Sequence, residues 1–172
     1  MLLTYSRILF GPLIFILSVF FEMYFAALIV FILCSVSDFF DGFLARRFNH
    51  ESSIGKLLDP VADKILLCSS ILAIVLITND YFIGLMGMII LIREFWVSGL
   101  REYTAINHIR GASDVSFLAK IKTTIQFISI GSFLFSFHYN LSLGIFISSF
   151  ILFLSLLISI KTGMTYTSNT LK

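Results

Sequence analysis

The stretch SDFFDGFLARRFNHESSIGKLLDPVADKI, residues 37–65, is unusually acidic for the chain in which it lies. Its four aspartates stand in two pairs, Asp38 with Asp41 and Asp59 with Asp63, and apolar runs border the stretch on both sides. The first pair is three positions apart and the second pair four, so each pair shares one face if its segment is helical. The polar residues between the pairs predict a loop. Two antiparallel helices joined there can turn their carboxylates toward each other.

The composition of the whole chain places these acids in a membrane protein. Of 172 residues, 58% are hydrophobic and only 13% are charged. A soluble domain of this length exposes more surface than so few charges can cover. We therefore predict an all-α, polytopic membrane protein. Its predicted partner is the lipid bilayer, and we predict no binding to nucleic acid.

Rare charges and turn residues divide the sequence into six apolar runs. A spanning helix needs roughly 20 residues, so the shorter runs must extend into polar flanks to cross the bilayer. We predict six transmembrane helices in one membrane domain, residues 1–161, followed by a polar, loosely ordered tail, residues 162–172. The six runs are residues 8–21, 23–37, 61–78, 81–100, 123–138 and 141–160.

Lysine and arginine are distributed unevenly between the two ends of these predicted helices. The connections near Glu22, residues 78–80 and residues 139–140 contain neither residue type, whereas the other connections and both termini do. Positively charged connections stay in the cytoplasm. The asymmetry predicts that both termini and the aspartate motif face the cytoplasm, in a multi-pass protein of the inner (cytoplasmic) membrane.

The helical rise places the two aspartate pairs at one level. Asp38 lies fifteen residues from Met23, and Asp63 lies fifteen from Thr78. Both are therefore about 22 Å from the outer face of a hydrocarbon core about 30 Å thick. Carboxylates gathered there repel one another unless cations neutralise them. Oxygen ligands suit Mg²⁺ or Mn²⁺, and four carboxylates can hold two such ions for a reaction at phosphorus.

A plainer interpretation of the same acids is a set of interfacial ion pairs. The small residues beside the acids also have two interpretations. They let helices pack closely, or they leave room for a ligand next to the metals. The cations available for such pairs are Arg46, Arg47, Lys56 and Lys64. The small residues are Gly42, Ala45 and Gly55.

Eight residues at fixed spacing make this stretch a more specific indicator of function than its acidity alone. The spacing resembles the complete signature of the CDP-alcohol phosphatidyltransferase family, and the resemblance covers nearly the whole chain. Segments 2–14, 93–102 and 120–126 resemble the bacterial branch that makes phosphatidylglycerophosphate. The pattern reads Asp38-x2-Asp41-Gly42-x2-Ala45-Arg46, eight residues, Gly55-x3-Asp59-x3-Asp63.

The resemblance implies a reaction and assigns roles to the motif. The phosphatidyl group of CDP-diacylglycerol would pass to glycerol 3-phosphate, giving phosphatidylglycerophosphate and CMP in phospholipid biosynthesis, by a two-metal mechanism. Asp38, Asp41 and Asp59 would be the principal ligands of two Mg²⁺ or Mn²⁺ ions. Asp63 would be a ligand or near-ligand that takes the proton from the acceptor hydroxyl. The resemblance also implies a homodimer. The CDP-diacylglycerol site would be lined by Gly42, Ala45, Arg46 and Gly55.

Cations elsewhere in the chain are candidates for an anionic acceptor such as a phosphate monoester. By the helical rise, Arg93 and Lys122 lie about 18 and 24 Å from the outer face, near the level of the aspartates. Each of these residues also has an alternative interpretation. Arg93 can pair with Glu94 or an aspartate, the other cations can serve membrane topology alone, and Thr4 can serve as a helix cap alone. The candidate glycerol 3-phosphate residues are Thr4, Arg7, Arg93, Arg101, Arg110, Lys120 and Lys122.

Two further classes of function compete with this prediction. Another family member could use serine, inositol phosphate or phosphatidylglycerol as the acceptor, although segment 93–122 favours glycerol 3-phosphate. A cation transporter also places carboxylates inside the membrane. Such a transporter needs polar groups along a route across the bilayer, whereas the charges here gather at one level. This asymmetry favours a one-sided catalytic site.

Overall fold

The computed structural model describes residues 2–48, 53–107 and 117–170, and these residues form helices joined by short turns. No strand occurs in these three segments, which confirms the all-α prediction. The helices are α1 (Leu2–Val19), α2 (Tyr24–Phe48), α3 (Ser53–Thr78), α4 (Tyr81–Ile106), α5 (Phe117–His138) and α6 (Ser142–Thr170).

The described helices include long apolar segments suited to a bilayer. Pro60–Thr78, Tyr81–Ile106 and Ser142–Thr170 are long and apolar enough to cross a membrane, and Ser6–Val19 and Tyr24–Val36 are shorter apolar segments. Many large apolar side chains are exposed on the outside of the bundle, as a lipid environment requires. These features support a membrane protein, and the six-span topology with cytoplasmic termini stays a prediction.

The turns fall where the sequence predicted breaks. Residues 20–23, 79–80 and 139–141 connect consecutive helices. Glu22, Asn79 and Asn140 adopt positive φ angles of 52°, 47° and 52°, and asparagine tolerates this conformation better than most residues. Asp80 caps α4, because its carboxylate accepts hydrogen bonds from the backbone N–H groups of Phe82 and Ile83.

The prediction of a loosely ordered tail is wrong for residues 162–170. Helix α6 continues to Thr170, and 29 residues make it about 43 Å long, which exceeds the thickness of the hydrocarbon core. Thr162, Gly163 and Tyr166 are buried in this extension. Its polar residues therefore pack against the bundle, and the boundary at residue 161 stays a prediction.

The helices pack around an apolar core that includes Ile14, Phe31, Leu66, Ile90 and Phe133. Helix α1 contacts α2 and α3, α5 contacts α2 and α6, and α4 contacts α3 and α6. Small polar residues join α5 to α6: Ser129 Oγ donates to the Ser148 carbonyl at 2.9 Å, and Ser148 Oγ donates to Ser132 Oγ at 2.7 Å. These hydroxyls therefore have partners within the helix pair, as expected for close packing in a membrane.

The two ends of the bundle differ in chemistry. At the end that carries the short turns, Tyr24 stacks near Phe137 with ring centroids 5.6 Å apart, and Phe25 lies 5.1 Å from His138. These contacts bring the start of α2 to the end of α5. The described ion pairs all lie toward the opposite end, where α1, α3 and α5 begin and α4 and α6 end.

Candidate active site

Helices α2 and α3 carry the aspartate motif in the helical form that its spacing predicted. Helix α2 contains Asp38 and Asp41, and α3 contains Asp59 and Asp63. Of these four, only the Asp63 side chain belongs to the described part of the structure. The other three side chains lie outside it, as do the surroundings of the predicted donor-site residues, so the metal and donor sites stay predictions. Those donor-site residues are Gly42, Ala45, Arg46 and Gly55.

Asp63 forms an ion pair with Arg7, which joins α3 to α1. Arg7 Nη1 lies 2.5 Å from Asp63 Oδ1; the arginine side chain is 1% exposed and the aspartate 46%. The close approach of the two helices depends on Gly11, one turn after Arg7. A Cβ at Gly11 would lie 3.3 Å from the backbone carbonyl of Ile65. Two residues predicted for different roles, proton transfer and acceptor binding, are thus in direct contact.

Arg93 is fixed between α4 and the extension of α6. Its Nε donates to the Ser159 carbonyl at 3.0 Å, and its Nη2 donates to Thr162 Oγ1 at 2.7 Å. The side chain crosses Gly163, where an added Cβ would lie 3.1 Å from Arg93 Cγ. Its Nη1 also donates to Glu94 Oε1 at 3.1 Å, so the local pair considered from the sequence is formed. A guanidinium carries more N–H donors than these contacts use.

Lys122 lies in the same cluster. Its ammonium pairs with Glu94 Oε1, the oxygen that also accepts from Arg93, and the lysine is only 4% exposed. The structure therefore brings two of the predicted acceptor cations, one on α4 and one on α5, to a single carboxylate. Burial of charge at this level needs such a partner, because an unpaired ammonium is costly away from water.

Arg101 lies about two turns further along α4 than Arg93 and is exposed. Its guanidinium stacks 5.1 Å over the Tyr166 ring and donates to the Tyr166 hydroxyl at 3.3 Å. Trp96, on the same helix, donates its indole N–H to Thr167 Oγ1 at 3.0 Å. Both contacts link α4 to the α6 extension, so the polar end of α6 packs against the helix that carries Arg93 and Arg101.

Lys64, which follows Asp63 on α3, contacts α4. Its ammonium donates to Ser98 Oγ on α4 and lies 5.6 Å from the centroid of the Phe95 ring. Lys64 therefore links α3, which carries Asp63, to α4, which carries Arg93 and Glu94.

The side chains of three predicted acceptor residues fall outside the described part of the structure. Thr4 lies in α1 and Lys120 in α5, and their side chains are outside the described part of the structure. Arg110 falls among residues 108–116, which the structure does not describe. Their roles in acceptor binding stay predictions.

The residues that hold the cations have no predicted role in the site. From the sequence, Glu94 is predicted only as a partner of Arg93, and the polar residues of the α6 extension are predicted to form a tail. A signal was available in α6, because polar residues recur there at helical intervals on one buried face. The buried polar members of that face are Ser148, Ser155, Ser159, Thr162, Tyr166 and Thr170.

Comparison with known proteins gives one family and consistent relatives. The model of the family described as CDP-alcohol phosphatidyltransferase matches residues 1–161. An Escherichia coli K12 protein is 40% identical over 135 residues, 75% of this chain and 72% of that protein. A Wigglesworthia glossinidia protein is 38% identical over 137 residues (77% and 75%), and a Rickettsia felis protein is 37% identical over 142 (80% and 75%). All three are named CDP-diacylglycerol–glycerol-3-phosphate 3-phosphatidyltransferase.

Proposed function

The chain belongs to the CDP-alcohol phosphatidyltransferase family, and on that premise we propose that it transfers a phosphatidyl group from CDP-diacylglycerol to glycerol 3-phosphate. The products are phosphatidylglycerophosphate and CMP. The observation that carries this proposal is the common name of relatives that are 37–40% identical over three quarters or more of this chain. That name supports the activity of a phosphatidyltransferase in phospholipid biosynthesis. It also contains the names of the proposed donor, CDP-diacylglycerol, and of the proposed acceptor, glycerol 3-phosphate.

The proposed metal site uses the four motif aspartates. Asp38, Asp41, Asp59 and Asp63 offer only carboxylate oxygens, which is the donor set that Mg²⁺ and Mn²⁺ prefer. Two observations support the fit: both aspartate pairs lie in helices, and the Asp63 carboxylate is half-exposed at the charged end of the bundle. Two bound ions would supply positive charge against the diphosphate of the donor and the departing CMP.

Asp63 is the proposed proton acceptor. The hydroxyl oxygen of glycerol 3-phosphate attacks the lipid-side phosphorus, its proton passes to the Asp63 carboxylate, and the bond between that phosphorus and the oxygen of CMP breaks. Arg7 supports this role, because the ion pair fixes one carboxylate oxygen while nearly half of the Asp63 side chain stays exposed. A base held in this way needs no reorientation before it accepts the proton.

The acceptor phosphate is proposed to bind among the cations of α1, α4 and α5, and the donor head group along α2 and the start of α3. Charge-assisted hydrogen bonds to a phosphate are stronger than those between neutral groups, and buried donors lose less to competition from water. The burial of Lys122 and Arg93 supports this assignment. The proposed acceptor residues are Thr4, Arg7, Arg93, Arg101, Arg110, Lys120 and Lys122. The proposed donor residues are Gly42, Ala45, Arg46 and Gly55.

The proposed location is the cytoplasmic membrane, with the site facing the cytoplasm. The ion pairs of the described residues gather at the end where Lys and Arg are concentrated, and positively charged ends stay in the cytoplasm. The acyl chains of the donor can then remain in the bilayer while the water-soluble acceptor enters from the same side. A homodimer stays a prediction.

The acceptor is tested with purified protein in detergent micelles, labelled CDP-diacylglycerol and Mg²⁺. Glycerol 3-phosphate, serine, inositol phosphate and phosphatidylglycerol are offered separately, and labelled lipid products are resolved by chromatography. We expect a product with glycerol 3-phosphate and little with the other three. Equal reaction with serine would contradict the proposed acceptor, and no lipid product with any acceptor would contradict the proposed activity.

A further inference from the structure

Glu94 occupies a position that the motif does not account for. One of its oxygens, Oε1, accepts hydrogen bonds from both Arg93 and Lys122. All three side chains are largely buried, with exposures of 18% for Glu94, 9% for Arg93 and 4% for Lys122. The cluster therefore carries two cations and one anion in a region with little water.

The ion pair of Glu94 with Lys122 joins α4 to α5 through side chains alone. Within the described residues, no Cα atom of α4 comes within 8 Å of a Cα atom of α5, although α6 contacts both helices. The side chains of Glu94 and Lys122 therefore meet where the two backbones stand apart. The ion pair therefore brings hydrogen-bond donors from two separate helices to one place, and donors arranged in this way can bind a small anion.

One side of the bridge is rigid. Arg93 is held by the Ser159 carbonyl and by Thr162 Oγ1, and its stem lies against Gly163. Glu94 follows Arg93 directly on α4 and is bonded to it. The position of the carboxylate is thus fixed. The side chain of Lys122 has several rotatable bonds, and the ion pair with Glu94 selects one of its conformations.

We propose that Glu94 is a positioning residue for acceptor recognition, holding Lys122 beside Arg93 so that both cations face the phosphate of the acceptor. This inference rests on the proposed function. Without the carboxylate, two neighbouring buried cations repel each other, and the ammonium of Lys122 leaves the site or loses its charge. Glu94 therefore contributes to acceptor binding without touching the reacting hydroxyl.

The first test compares Glu94→Gln with the native enzyme by steady-state kinetics, varying each substrate separately. Loss of a charge-assisted contact to the phosphate predicts a KM for glycerol 3-phosphate that is roughly 10- to 150-fold higher. The KM for CDP-diacylglycerol is expected to change by less than about twofold, because Glu94 is assigned to the acceptor alone. The matched control is Glu102→Gln, an exposed glutamate two turns further along α4, which should leave both KM values unchanged.

A charge exchange separates positioning from support of the fold. Glu94→Lys combined with Lys122→Glu restores the ion pair with its charges reversed. We expect this double variant to recover the thermal midpoint lost in either single variant but not the native KM for glycerol 3-phosphate. Recovery of both quantities would overturn the proposal, because the pair would then matter only for stability. If Glu94→Gln does not fold, Glu94→Asp and this double variant carry the test.

Failure of this inference can be distinguished from failure of the proposed function. A native enzyme that does not use glycerol 3-phosphate overturns the proposed function and this role with it. A native enzyme that uses glycerol 3-phosphate, together with an unshifted KM in folded Glu94→Gln, overturns the role of Glu94 alone. Equal increases in the KM of both substrates would also contradict it.

Discussion

Arg7 and Asp63 form an ion pair in which the cation is buried and the carboxylate is half-exposed. Arg7 Nη1 and Asp63 Oδ1 are 2.5 Å apart, and the two residues belong to α1 and α3. The pair links the first helix of the chain to the last aspartate of the motif. Helix α1 thereby places a buried cation against the carboxylate that is proposed to accept the proton.

We expect Asp63→Asn to lower turnover by about 10²- to 10⁴-fold, because an amide does not take up the proton of the acceptor hydroxyl. Binding of CDP-diacylglycerol should remain measurable in the same purified variant. The matched control is Asp80→Asn at the opposite end of the bundle, where asparagine also serves as a helix cap. Near-native turnover in Asp63→Asn would remove the proposed role of this residue.

Activity is expected to depend fully on Mg²⁺ or Mn²⁺. Excess chelator should abolish turnover, added Mg²⁺ or Mn²⁺ should restore it, and Asp38→Ala and Asp59→Ala should be inactive at any concentration of either ion. The measurement is initial rate against free metal concentration. Full activity in excess chelator would favour the alternative in which the motif aspartates form only ion pairs with neighbouring cations.

Gly11→Ala is expected to destabilise the protein and lower its activity. The added Cβ meets the backbone of Ile65 on α3, which cannot move aside as a side chain can. Overpacking of this kind costs about 1–3 kcal/mol and displaces α1, and with it Arg7, from Asp63. The measurement is the thermal midpoint in detergent together with turnover.

Gly99→Ala is the matched control for that variant. Nothing lies within 4 Å of a Cβ at Gly99, and the residue is in the interior of α4. Alanine is the better helix former by about 1 kcal/mol, so the thermal midpoint should stay the same or rise. Equal effects of the two alanine variants would show that close packing of α1 against α3 is unimportant.

Thr162→Val should lower stability although valine has nearly the same shape. The substitution removes the hydroxyl that accepts from Arg93 Nη2, leaving a buried N–H group without that partner at a cost of about 1–3 kcal/mol. Thr165→Val is the control, because the Thr165 hydroxyl is exposed and donates to the carbonyl of Lys161. A thermal midpoint that falls equally in both variants would argue against a specific role for the α6 extension.

Most of the helical architecture was predictable from hydropathy and turn chemistry. The turns at Glu22, Asn79 and Asn140 interrupt apolar runs with polar residues, and the helices end beside them. The extension of α6 was not predictable in this way. Hydropathy identifies segments that contact lipid, whereas residues 162–170 bury polar groups against the cations and aromatic residues of α4.

The partners of the site residues were the least predictable feature. The depth of Arg93 and Lys122 in the membrane could be predicted from the helical rise. Their shared partner, Glu94, could not, because that contact depends on how α4 and α5 are placed around α6. The same holds for Arg7 and Asp63, which are 56 positions apart in the sequence. Spacing within one helix indicates a shared face, and contacts between helices depend on packing that single-helix periodicity does not contain.

Transfer of the phosphatidyl group to glycerol 3-phosphate can be checked by measuring both products of one reaction. Purified enzyme receives CDP-diacylglycerol, Mg²⁺ and glycerol 3-phosphate labelled in its carbon chain, with Asp63→Asn as the inactive reference. We expect label to enter the lipid fraction as phosphatidylglycerophosphate and CMP to appear in equal amount, both only in the complete mixture. Release of CMP without labelled lipid, or no release of CMP by the native enzyme, would contradict it.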